Sequence, residues 1–284
     1  MVVAETHGNK ILALDLSRTV AIVLAMFAHV LTTTGALKYV LENLAPLMLI
    51  VRTSTPMFII LFGVILEIVY RRRAERDGMH SVLTRFIERA LLCWTLYALA
   101  NIPLLLTGQI SLPYYLGTAL LLGATPFTDI LRYYTILFVL APAILYARLR
   151  WGVLPLLVGS VGLMALHPFF AAIPDPDLLV AQEVTMRMVD LLVGIWDGTA
   201  GPSVLHSLFF VAVGIAIGTA LTSERSAEGG ETRSNRTLLL LIAFLAVATY
   251  ASTWVGPEEV NWASVSKKTL RNANHPFYFF NGAY

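Results

Sequence analysis

Residues 11–34 read ILALDLSRTVAIVLAMFAHVLTTT, an apolar run whose ionisable groups are Asp15, Arg18 and His29. About 20 such residues, at 1.5 Å each along a helix, cross the hydrocarbon core of a bilayer. Lys10 precedes the run, but Asp15 and Arg18 inside it do not suit a cleaved signal peptide, so this first helix is expected to stay as a signal anchor. Similar runs follow at 48–70, 83–106, 129–148, 152–171, 204–222 and 237–255. Backbone groups in lipid must pair internally, which leaves helices or closed barrels. A barrel would show short alternating segments. These long runs predict an all-α, polytopic transmembrane helix bundle of about seven spans.

Composition agrees. The chain is 57% hydrophobic and only 13% charged, with a mean hydropathy of +0.72. A soluble domain carries about 25% charged residues. A net charge of +2 gives no case for nucleic acid. No Rossmann, P-loop or zinc spacing is present, so no metal and no permanently bound cofactor is expected. Cys93, the single cysteine, excludes an intrachain disulfide and reads as packing.

Two apolar stretches are not spans. Residues 112–124 are too short and suit a re-entrant or interfacial piece. Residues 178–195 mix polar and apolar side chains at helical spacing and predict an amphipathic interfacial helix, flanked by Pro/Gly clusters at 173–176 and 198–202. Pro56 and Pro142 are expected to break two spans. The end of the chain, NHPFYFFNGAY at 274–284, turns aromatic after a polar stretch. A further helix is expected to begin there, as in a chain truncated at its C-terminus. The domain reading is a transmembrane domain over 1–255 and a polar–aromatic tail over 256–284.

Lys and Arg divide unevenly between the two sides of this topology, thirteen on the side of the N-terminus, Arg71–Arg73 and Arg148, and seven on the other. The positive-inside rule then makes the N-terminus cytoplasmic. The run Arg71-Arg72-Arg73 is either a topology anchor or a landing site for a phosphorylated cytosolic ligand.

Ionisable groups inside a span are costly and mark function by default. Arg18 and His29 are eleven residues apart, three turns plus roughly 20°, so they share a face of the first helix, about 16 Å apart along its axis. Asp15 lies within pairing reach of Arg18. Ala25 lies between them on that stripe, flanked one turn earlier by Ala21 and Ile22; the two alanines leave room and Ile22 narrows it. The structural alternative is an ion pair at the helix entrance with a histidine bonded to a neighbouring helix. His206 opens the sixth span on the far side, where it either works or bonds a loop. Asp129, Arg132, Tyr133 and Tyr134 open the fourth on the same side; they can bind sugar, or the rings can serve as an interfacial aromatic belt. His167 reads as a loop-end residue, and His7 and His80 as solvated.

The pattern Leu14-Asp15-Leu16-Ser17-Arg18 followed by His29 resembles the opening of the membrane acyltransferase 3 superfamily, which carries an arginine, ten residues and a histidine in its first helix. Ser54-Thr55-Pro56-Met57-Phe58 with Leu61-Phe62-Gly63 resembles the second helix of its glucan-modifying, OpgC-like branch and of heparan-glucosaminide N-acetyltransferases. Gly201-Pro202-Ser203-Val204-Leu205-His206-Ser207-Leu208 with Gly214 resembles a later block of those relatives, and Arg85 and Arg89 their basic pair. Arg18-Thr19 stands where the family has Arg-Gly.

The resemblance implies an acyltransferase of a bacterial inner membrane. It would move an acyl group from a cytosolic donor of the acyl-CoA type to a hydroxyl or amine of a carbohydrate-like acceptor. Histidine titrates near neutral pH, so His29 can take the proton of the attacking group or carry the acyl group itself. Arg18, Arg85 and Arg89 would hold the donor phosphates in guanidinium forks. His206 and Asp15 are further catalytic candidates, and Asp129, Tyr133 and Tyr134 the acceptor-binding set. The competing expectations are a small-solute transporter, which would tend to show broken helix pairs and an internal repeat, and a non-catalytic membrane partner protein.

Overall fold

The computed structural model describes residues 2–36, 40, 47, 50, 51, 53–122, 125, 128–166, 169, 170, 172, 173, 189, 191–194, 202–223, 230–254 and 276–283. Among them there are helices and no strands. The helices are α1 (Val2–Thr33), α2 (Ser54–Ile65), a π-helical turn (Leu66–Arg71), α3 (Arg72–Asp77), α4 (Met79–Ala100), α5 (Ile102–Leu106), α6 (Leu112–Ala119), α7 (Asp129–Trp151), α8 (Val153–Ala165), α9 (Val204–Ser223), α10 (Gly230–Ser252) and α11 (Pro276–Ala283).

Five stretches are long and apolar enough to cross a membrane: Leu12–Leu31, Ser54–Asp77, Met79–Leu106, Ile130–Trp151 and Val204–Thr222. They correspond to five of the seven expected spans. The other two are the shorter apolar helices Val153–Ala165 and Arg236–Ser252. Large apolar side chains such as Leu16, Met26, Leu154 and Val247 are exposed. In water these would be a liability. In lipid they are the solvent-facing surface, and the fold is an all-α membrane protein.

Local chemistry explains the helix ends. Ser111 caps α6 by accepting a hydrogen bond from the Tyr114 N–H at 3.4 Å, and Pro113 sits in the first turn, where its missing N–H costs nothing. Gly152, at φ 88°, ends α7 and starts α8 in a conformation that favours glycine. Of the two expected breaks, the one at Pro142 does not occur, whereas α2 begins only at Ser54, inside the expected span 48–70. Pro56 lies in the first turn of α2, and α7 runs on through Pro142, as membrane helices permit when neighbours satisfy the freed carbonyl. Residues 112–119 form the short helix α6, too short to span. The interfacial helix expected over 178–195 falls almost wholly outside the described residues.

The chain divides into two compact units. The first comprises residues 1–65, 210–271 and 276–284. In it α1 packs on α2, and α11 packs on α10 and α2. The aromatic tail is therefore helical and packed: Phe277, Phe279 and Phe280 are buried, and the Phe279 ring lies 5.1 Å from that of Phe210. The second unit comprises residues 66–209 and 272–275, with α4 against α7 as its main pairing and Val82, Phe86, Tyr97, Leu137 and Leu145 in its core.

Within the first unit Gly63 of α2 meets Gly214 of α9. A Cβ on Gly63 would collide with the Val211 carbonyl, and one on Gly214 with the Ile60 carbonyl. Small residues let membrane helices approach backbone to backbone. Both glycines belong to the blocks singled out in the sequence, and the fold joins them. Gly63→Ala is expected to lower stability by about 1–3 kcal/mol, the usual range for overpacking. Gly159→Ala is expected to leave stability unchanged or slightly raised, because a Cβ there meets open space. Thermal melting of the detergent-purified variants checks both.

Candidate functional site

On α1, Arg18 Nη1 lies 3.7 Å from Asp15 Oδ1, and both side chains are about half exposed or more. A pair so open contributes little to stability in water. The helix is continuous from Val2 to Thr33, so His29 keeps the helical register to Arg18 that the spacing implied. His29 is half-buried and its carbonyl accepts from the Thr33 hydroxyl at 2.8 Å. Ala25, on the stripe between them, is half-buried, and Ala21, which flanks it, is fully buried. Beside the Arg18 turn lies an apolar cleft of about 460 Å³, lined by Ala13, Leu14 and Ser17 of α1, Met57 and Ile60 of α2, and Leu221 of α9. The first unit thus offers a cationic side chain, an apolar cleft and an imidazole on one helix.

In the second unit the start of α7 and the start of α9 come together. Ser203 precedes α9, and its Oγ lies 2.7 Å from His206 Nδ1. The same Oγ accepts from the His206 backbone N–H at 3.2 Å. The Tyr133 hydroxyl donates to the Ser203 carbonyl at 3.3 Å. The Phe170 ring meets the imidazole edge to face, with ring centres 5.7 Å apart. Ser203 and His206 are fully buried and Tyr133 nearly so. The sequence proposed Tyr133 and His206 separately, and the fold makes them one cluster. The rest of the expected acceptor set is divided. Tyr134 packs on Phe138, with ring centres 6.1 Å apart. Asp129 opens α7, and its side chain is outside the described residues. Arg132 is buried on the same helix.

Arg85 and Arg89 share an exposed face of α4 one turn apart, as a basic pair must to act on one anion. His80 is exposed, and His167 lies outside the described residues.

One group escaped the sequence reading. Glu67 is fully buried in the π-helical turn. Arg148 of α7 grips it with both arms, Nη2 to Oε1 at 2.8 Å and Nε to Oε2 at 3.0 Å. Arg71 approaches Oε1 at 2.8 Å and reaches Glu75 at 2.6 Å. This fork ties the π-helical turn to α7 inside the second unit. Its signal was available: Glu67 is the lone acidic residue within the apolar run 54–70, and an ionisable residue there is expected to have a partner.

Residues 10–113 match the family model described as OpgC protein. The matched stretch contains Arg18, His29, Ser54–Gly63, Arg85 and Arg89, so the resemblance drawn from those residues holds across it. No curated protein and no solved structure matches the chain.

Proposed function

We propose that this OpgC-like chain is an integral-membrane acyltransferase, moving an acyl group from an acyl-CoA-type donor to a hydroxyl or amine of a carbohydrate-like acceptor such as a glucan. The observation that carries the reading is the family match over residues 10–113, which takes in the Arg18–His29 helix. The geometry supports it: Arg18 is exposed beside an apolar cleft, and His29 lies three turns further along the same helix. His29 acts as the base that takes the acceptor's proton. Arg18, Arg85 and Arg89 hold donor phosphates, and the N-terminus faces the cytoplasm.

Donor binding is tested by Arg18→Lys, Arg85→Lys and Arg89→Lys. Lysine keeps the charge and loses the planar fork. Each variant is expected to weaken acyl-CoA binding, measured by calorimetry on folded protein. Unchanged affinity in all three would make these residues topology anchors. Orientation is tested with Glu75→Cys and Asp177→Cys in a Cys93→Ser background. An impermeant thiol reagent on whole cells should label position 177 and spare 75; the opposite pattern would invert the topology.

A further inference from the structure

The apolar cleft beside the Arg18 turn takes no proton and holds no phosphate in the reaction above, and it carries an inference that does not depend on acyl transfer. Its walls come from four helices of the first unit: Ala13 and Leu14 of α1, Met57 and Ile60 of α2, Leu221 of α9 and Ala283 of α11. Ala13 is exposed, and Leu14, Met57, Ile60 and Leu221 are half-buried, so the cleft opens at the surface. Leu12 and Leu16, which flank its α1 wall, are more than half exposed. They belong to the apolar stretch Leu12–Leu31, long enough to cross a membrane, so the mouth of the cleft lies where lipid is the solvent.

The lining decides what fills it. Among the described residues it carries no charged side chain and three polar ones, Ser17, Thr53 and Asn281. The Ser17 hydroxyl donates to the Ala13 carbonyl at 2.8 Å and the Thr53 hydroxyl to the Ile50 carbonyl at 2.7 Å, so both hydrogens are spent on main chain. A sugar, a phosphate or a nucleobase would shed its water there and find too few donors in return. Water fares no better, because apolar cavities stay dry and take apolar guests. The adjoining hydrocarbon is such a guest. It gains no hydrophobic free energy by leaving the bilayer, since lipid is as apolar as the walls. It gains the dispersion contacts that an unfilled cleft forfeits. The cleft measures about 460 Å³. At roughly 30 Å³ for a methylene-sized group, about the share of a water molecule, that is room for a chain of roughly fifteen carbons.

We propose that the cleft binds one hydrocarbon chain of a bilayer phospholipid, held by its methylenes and not by its headgroup. The chain is a wedge among α1, α2, α9 and α11, and it supports the turn of α1 that carries Arg18.

The test reconstitutes the full chain in phosphatidylcholine vesicles doped with a palmitoyl phosphatidylcholine whose chain carries a diazirine. Light fixes the chain to whatever it touches, and peptide mass spectrometry locates the adducts. Wild-type protein should carry adducts on the walls, at Met57, Ile60 or Leu221, and also on Leu12 and Leu16, which any surrounding lipid reaches. Ala13→Phe and Ala283→Phe each fill the cleft from one side. In either variant the wall adducts should fall to background, while those on Leu12 and Leu16 stay at the wild-type level and report an inserted protein. A phosphatidylglycerol probe with the same chain should label the walls as well as the phosphatidylcholine probe does. Wild-type protein labelled on Leu12 and Leu16 but not on the walls overturns the proposal, as do wall adducts undiminished in both filled variants. Wall labelling by the phosphatidylglycerol probe alone, lost in Arg18→Gln, overturns it in favour of a headgroup site.

Discussion

Glu67→Ala should cost about 3–5 kcal/mol of stability, the range for removing one partner of a buried ion pair. The loss comes from what stays behind. Arg148, whose side chain is only 15% exposed, would keep its charge and lose both arms of its fork. Arg71 has Glu75 as a second partner at 2.6 Å, so the penalty falls mainly on Arg148. The variant should melt well below wild type in detergent or fail to accumulate. Replacing both partners, Glu67→Leu with Arg148→Leu, should recover much of the loss, because a buried pair exchanged for apolar groups is often neutral. A double-mutant cycle read by thermal melting separates the pair from its parts. A double variant as unstable as the sum of the singles would show that the fork is not the tie between the π-helical turn and α7.

The spans were legible because lipid demands long apolar helices, and hydropathy alone locates them. The Gly63–Gly214 crossing was half legible. Each glycine stood in a recognisable block, but which helices touch is decided by packing that no local pattern records. Pro142 misled because its helix-breaking cost is that of water, where a freed carbonyl has a competing partner, and α7 runs on through it. The Ser203–His206 contact follows from a spacing of three residues across a helix start, which a sequence does show. Its junction with Tyr133, seventy residues earlier, it does not. Glu67 was passed over because Arg148, its principal partner, is 81 residues away.

His29→Ala is expected to leave a folded, membrane-inserted protein and to lower acyl transfer by about 10²–10⁴-fold, the usual contribution of a general base. The side chain is half-buried on α1, so its removal leaves no large void in either unit. Thermal melting close to wild type would separate lost chemistry from lost structure. His206 is the competing base, and the two alanine variants rank them. If the acceptor's proton goes to His29, the first variant is inactive whatever becomes of the second.

The most direct test of the acyltransferase reading follows a radiolabelled acyl group from acyl-CoA to a glucan oligosaccharide, using purified protein reconstituted into lipid vesicles. We predict label on the carbohydrate with wild-type protein and almost none with His29→Ala. No transfer by folded wild-type protein, or undiminished transfer by His29→Ala alongside loss in His206→Ala, would contradict the account.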